Sequence, residues 1–171
     1  MVKGTTRSPQ NPLKLLCAFE LPSSEGTVTG PAAFRLRKHL VLLFLHDVTC
    51  GTCQRVLQAM ARSYAEVQKD NAEVLAIIGG DVLAATAFHH TQQIPFRFLF
   101  DADDHAASLC LADIGVFRPA ILLVDRYGAI WKELVPKEKD GDIEVQETLE
   151  WLAFMDVQCP ECNIPDEPPV E

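Results

Sequence analysis

The 171-residue sequence has no apolar run approaching the ~18 residues that a bilayer-spanning helix needs, so no segment reads as a transmembrane span. It is also short of positive charge: 15 Lys and Arg stand against 24 Asp and Glu, a formal net charge of −9. Such a surface repels phosphate backbones and anionic lipid, which argues against nucleic acid and membrane as partners. The opening "MVKGTTRSPQNP" has no apolar core segment and reads as no signal peptide, which points to a reducing, cytoplasmic setting. No internal repeat and no low-complexity block appears. What is present is a 48% hydrophobic, 23% charged chain, the composition of an ordinary globular domain with a core large enough to need no staples. One domain is expected over residues 13–157, after a disordered lead-in (1–12) and before a Pro-rich acidic tail (158–171). The six cysteines suit catalysis, metal binding or packing better than a disulfide framework in that setting.

Strands and helices alternate along the chain. "LKLLCAFELPSSEGTV" reads as a short strand and a turn, and "HLVLLFLH" as a strand covered on both faces. Val56, Leu57, Met60, Ala61, Tyr64 and Val67 then form one stripe of a 3.6-residue period. "AEVLAIIGG" is a second buried strand ended by glycines. "DVLAATAFHHTQQ" is a helix capped by Asp81. "IPFRFLFD" is extended, and "DDHAASLCLADIG" is a short helix closed at Gly115. "PAILLVDRYGAIWKEL" reads as a hairpin turning at Tyr127-Gly128, and a last amphipathic helix includes Ile143, Leu149, Leu152, Phe154 and Met155. The pattern implies an α/β sandwich around a mixed central sheet.

The chemistry concentrates in "FLHDVTCGTCQRVLQ", where a buried strand hands over to the amphipathic helix. Unpaired N–H groups and the helix dipole at that junction favour a thiolate at Cys50. Cys53 follows three residues later, within bridging reach once the first turn is helical. Cys50 attacks, a mixed disulfide forms, and Cys53 resolves it. Gly51 leaves room for a partner's backbone, and Thr52 occupies the slot that sets the rigidity of the turn. Two other readings of the pair stay open: half of a metal site, or two cysteines packed for bulk. Cys17 and Cys110 stand isolated in apolar surroundings and read as small core hydrophobes. The adjacent His89 and His90 cannot share one helix face and are discounted as joint ligands. Trp131 and Trp151 read as packing residues.

Four segments in order carry a family resemblance: "AFELPSSEG", "LVLLFLHDVTCGTC", "FRFLFDADDHAASLCLADIGV" and "RPAILLVDRYGAI". Together they resemble the redoxin branch of the thioredoxin-like superfamily, which includes peroxiredoxins and thiol-disulfide reductases, over residues 13 to about 131. The resemblance implies a thioredoxin-like three-layer sandwich and thiol-based redox chemistry. It implies substrates that are protein disulfides or hydroperoxides, and a thiol reductant as partner. It also admits a homodimer, because redoxins often pair through sheet edges or loops. No cofactor beyond the cysteine pair is implied. Pro119 is expected as the cis-proline facing the active cysteines, with Arg118 beside the site and able to favour thiolate at Cys50.

The family patterns are not matched in full. The peroxiredoxin P-x-x-x-[TS]-x-x-C motif would place Cys53 as the peroxidatic residue, Cys50 in the Thr/Ser slot and His46 in the proline slot. Pro119 would stand where that family has a supporting arginine. Thioredoxins proper carry an aromatic residue before the first cysteine and a buried acid earlier in the strand, where this chain has Thr49 and Phe44. Without that acid, His46 or Asp47 is the candidate to move a proton to and from Cys53. The alternatives are therefore a peroxidase using Cys53, and a zinc-stabilised, non-catalytic binding protein. The latter draws on "QCPECN", whose Cys159 and Cys162 suit a zinc knuckle, a redox relay to a reductant, or no redox duty at all.

Overall fold

The computed structural model describes residues 14–112, 118–138 and 141–157. Its elements are β1 (Leu21–Pro22), β2 (Val28–Thr29), a 3-10 turn (Pro31–Phe34), β3 (His39–Leu45), α1 (Gly51–Lys69), β4 (Ala72–Ile78) and α2 (Val82–Thr91), followed by β5 (Arg97–Phe100), α3 (His105–Cys110), β6 (Ala120–Val124), β7 (Ile130–Leu134) and α4 (Val145–Val157). The expected lead-in, the Gly115 cap and the Cys159–Cys162 pair lie outside the described residues.

The central sheet has the order β5-β4-β3-β6-β7. β3, β4 and β5 run parallel, while β6 and β7 are antiparallel to their neighbours. β3 is central and buried along its whole length, which is why its sequence is unbroken apolar rather than alternating. Its side chains still alternate between two cores. Val41, Leu43 and Leu45 point with Val56, Leu57 and Met60 of α1, Leu152 and Met155 of α4, and Ala85 of α2. Leu40, Leu42 and Phe44 point the other way, with Ala106, Ala107 and Cys110 of α3 and Phe19 of the N-terminal segment. The expected stripe on α1 is the buried face: Val56, Leu57, Met60 and Val67 are enclosed, with Ala61 and Tyr64 at its margin. Both tryptophans are buried, and Trp131 donates Nε1–H to Asp125 Oδ2 at 2.8 Å.

Two expectations are corrected. The strand expected near "LKLLCAFE" is reduced to a bridge between Leu15 and Ala129, and the first paired strand is the two-residue β1. Cys17 and Cys110 are not separate core fillers: they form a disulfide across 93 residues, with Cα atoms 5.6 Å apart. The parallel sheet sets α3 beneath the N-terminal segment, and that docking brings the two sulfurs together.

α3 is only six residues long and depends on Asp101, which is 2% exposed. Its Oδ1 accepts from Ala106 N at 3.1 Å and its Oδ2 from Ala107 N at 2.9 Å, so two first-turn amides are satisfied by one buried carboxylate. Asp101→Ala would orphan both amides in an apolar setting. It is expected to lower unfolding free energy by roughly 2–3 kcal/mol, read from the urea midpoint at unchanged m-value.

Candidate active site

β3 delivers the site. The chain leaves its end through His46–Thr49 and enters α1 with Cys50 as N-cap, whose carbonyl accepts Gln54 N–H at 3.0 Å. Asp47 holds this loop: its Oδ1 accepts from Thr49 N at 2.7 Å, the Thr49 hydroxyl at 2.6 Å and Cys50 N at 3.1 Å. Those bonds, the Thr49 hydroxyl first among them, hold the Asp47 carboxyl below the usual carboxylate range against the opposing effect of burial. Gln54 Nε2 adds a 2.6 Å bond to Val48 O. From the neighbouring strand, Gly79 and Gly80 press against the same loop. A Cβ on Gly79 would stand 2.6 Å from the His46 carbonyl oxygen. One on Gly80, whose φ is +81°, would stand 2.8 Å from Asp47 Cβ. The glycine pair that ends β4 in the sequence is thus there because the site loop passes over it.

The two cysteines differ sharply. Cys50 is half-buried at the mouth of the site, whereas Cys53 is 0% exposed and belongs to the core under α1. Burial pushes the Cys53 thiol up to about 12, and the hydrogen bond and charge of Cys50 add to the shift. Backbone N–H groups of His46, 3.4 Å from Cys53 Sγ, and of Asp47 pull in the opposite direction without overcoming burial. A ring nitrogen of His46, Cys50 Sγ and Cys53 Sγ all lie within 4.8 Å of one another. Both cysteines are free thiols.

Thr49 and Gly51 are exposed, and a Cβ on Gly51 would meet only Arg55 Nη1 at 3.6 Å, so the surface next to Cys50 is open. Thr52 is buried, and its hydroxyl accepts from Arg55 Nη2 at 3.0 Å. β6 enters alongside, with Ala120 opposite Phe44, which sets the preceding Pro119 by the end of β3. The Arg118–Pro119 bond is cis, as the resemblance implied. The Arg118 side chain is 18% exposed and pairs with Asp104 through contacts of 2.7 and 3.3 Å, with a further 3.5 Å bond to Leu45 O. Asp104 was not legible as a site neighbour. It lies in an acidic run, and only the docking of α3 shows which of those acids meets the arginine. A cavity of about 130 Å³ lies on the other side of the sheet, lined by Cys17, Phe34, Arg35 and Arg126 among others, and none of the site residues borders it. Of the adjacent histidines, His89 bonds the Phe96 carbonyl through Nε2 at 2.9 Å.

A five-stranded mixed sheet with helices on both faces is a thioredoxin-like fold, and here it carries a Cys-x-x-Cys pair at the start of α1. Residues 14–132 match the AhpC/TSA family, and the chain belongs to that family. Among solved structures it is similar to the peroxidoxin BcpB from Mycobacterium tuberculosis, at 16% identity and a TM-score of 0.72 over 82% of this chain and 94% of that one. It is also similar to a reduced 2-Cys peroxiredoxin from Plasmodium vivax, at 18% identity and a TM-score of 0.72 over 82% of this chain and 79% of that one. A secreted disulfide oxidoreductase of M. tuberculosis, homologous to E. coli DsbE, aligns at 18% identity and a TM-score of 0.64 over 79% of this chain and 94% of that one. No curated protein sequence matches.

Proposed function

We propose that the protein is a thiol-disulfide oxidoreductase in which Cys50 is the nucleophile and Cys53 the resolving residue. The observation that carries this reading is the unequal placement of two sulfurs that lie within 4.8 Å of each other, Cys50 half-buried and Cys53 fully enclosed. An incoming disulfide reaches Cys50 first. Its thiolate sulfur bonds one substrate sulfur, the substrate S–S bond breaks, and the other substrate sulfur leaves as a thiol on taking up a proton. Cys53 then gives up its proton and attacks Cys50 Sγ. The second substrate thiol departs, and the chain holds a Cys50–Cys53 disulfide after passing two electrons to the substrate. A thiol reductant returns the pair to its starting state.

The second step needs a Cys53 thiolate, and two features of the loop favour it. Once Cys50 is tied into the mixed disulfide, its hydrogen bond and charge no longer act on Cys53, and part of what keeps Cys53 protonated is gone. The amides of His46 and Asp47 remain aimed at Cys53 Sγ. We assign the proton to His46, whose ring nitrogen lies within 4.8 Å of both sulfurs; the Asp47 carboxylate is committed to the Thr49 and Cys50 amides. Pro119 and Arg118 stand by the end of β3, and the Arg118 guanidinium is committed to Asp104, which weakens any pull it exerts on a neighbouring thiolate. A peroxidase that used Cys53 as its attacking thiolate would need that sulfur open to peroxide and ionised near neutrality, and its burial and raised pKa count against this.

Site-resolved alkylation tests the assignment. In the reduced protein iodoacetamide should modify Cys50 at neutral pH, with Cys53 modified at least ~100-fold more slowly because access and ionisation both disfavour it. The Cys53 rate should climb with pH toward about 12, since its raised pKa keeps the unreactive thiol form dominant below that value. Faster labelling of Cys53 than of Cys50 would reverse the roles.

A further inference from the structure

We propose that the reduced site is also a copper(I) site, with Cys50 Sγ, Cys53 Sγ and the His46 imidazole as the three ligands. The inference stands on geometry and does not depend on catalytic turnover. The three donor atoms lie within 4.8 Å of one another, although His46 is separated from Cys53 by a loop and a helical turn. Metal–sulfur bonds of about 2.3 Å in a planar three-coordinate complex set ligand atoms about 4 Å apart, so no pair of donors is more than about 1 Å too far apart. Asp47, Gln54 and the Gly79–Gly80 pair already hold the loop that carries His46 against the start of α1, which limits what must be ordered on binding.

The donor set selects the ion. Two thiolates and one imidazole are soft to borderline ligands, suited to copper(I) and zinc rather than to magnesium, calcium or manganese. Zinc takes four ligands in a closed site, and among the described residues this cluster supplies three. Cys53 faces the core, and among the described residues no fourth side-chain donor joins the cluster. Copper(I) is satisfied by three. Occupancy by the metal and a Cys50–Cys53 disulfide are mutually exclusive, since both use the same sulfurs. Binding would therefore be confined to the reduced protein and would shield both thiols from exchange.

The test is an anaerobic titration of the reduced, full-length chain with copper(I) against the chromophoric competitor bicinchoninate. A Cys159→Ser/Cys162→Ser variant should be measured beside the wild type, because those two thiols are an independent place for copper to bind. One equivalent should be withheld from the competitor by both proteins, and pre-oxidised protein should withhold none at this site. His46→Ala and the closer-shaped His46→Gln should each weaken binding at least about tenfold. X-ray absorption on the wild type should show two sulfur ligands and one nitrogen ligand, a readout that survives if the His46 variants fail to fold. The assignment is overturned if no copper is withheld, if uptake disappears with the Cys159/Cys162 variant, if the His46 variants bind as tightly as wild type, or if zinc(II) holds the site against copper(I) with four ligands. None of those results would alter the alkylation order of Cys50 and Cys53, so this inference and the proposed oxidoreductase role fail separately.

Discussion

Cys50→Ser is expected to lower the turnover of insulin-disulfide reduction by at least ~10³-fold, because a serine hydroxyl carries almost none of the thiolate's nucleophilicity at neutral pH. Cys53→Ser should behave differently. Its first step survives, since the half-buried Cys50 still meets the substrate, but no second sulfur is present to break the mixed disulfide. Turnover should again collapse, while intact-mass measurement should find the variant carrying one substrate thiol. The contrast between an inert variant and a trapped one is what separates nucleophile from resolving residue. If Cys50→Ser keeps its turnover, or if single-turnover peroxide consumption depends on Cys53 and is indifferent to Cys50, the assignment is reversed and the protein is a peroxidase working through the enclosed sulfur.

Removing the Cys17–Cys110 bond should produce the largest loss of stability of any single change away from the site. The bond closes 93 residues of sequence separation, and the loop-closure entropy it withholds from the unfolded chain is worth roughly 4–5 kcal/mol at 25 °C in that model. Cys17→Ser should therefore lower Tm markedly and shift the urea midpoint, with the measured loss falling somewhere in the 2–5 kcal/mol range seen for native disulfides. Disulfide reductase activity should persist in the folded variant. Cys17 and Cys110 belong to the core beneath the sheet, whereas Cys53 belongs to the core above it, so the five-stranded sheet stands between this bond and the Cys50–Cys53 pair. A Cys17→Ser protein as stable as wild type would show that the bond contributes little to the fold. A folded variant that had lost turnover would show that the two faces of the sheet are coupled.

Much of this was legible because the features concerned are local. β3 and β4 announce themselves as apolar runs of strand length, since strands buried on both faces have no reason to alternate. Asp81 caps α2 as its sequence position implies, accepting Leu83 N–H at 2.8 Å. The Cys50–Cys53 pair could be found at the mouth of a βα unit from spacing alone. What could not be read were pairings set by the packing of distant segments: Cys17 with Cys110, Arg118 with Asp104, and the glycine pair against the His46–Asp47 loop. Each depends on where α3, β4 or β6 is set down on the sheet. Nothing in the residues flanking Cys17 distinguishes a packed thiol from one that has a partner.

The sequence by itself determined the alternation of strands and helices, the buried character of the central strands and the placement of a dithiol where a strand meets a helix, because periodicity, capping and short spacings act within a few residues of chain. The tertiary structure decided which sulfur is partly exposed and which is enclosed, which acid neutralises Arg118, and that His46 comes within ligand distance of both thiols. Those outcomes follow from long-range packing. Burial and distance are properties of the assembled core, and only the assembled core sets one cysteine against solvent and the other against the interior.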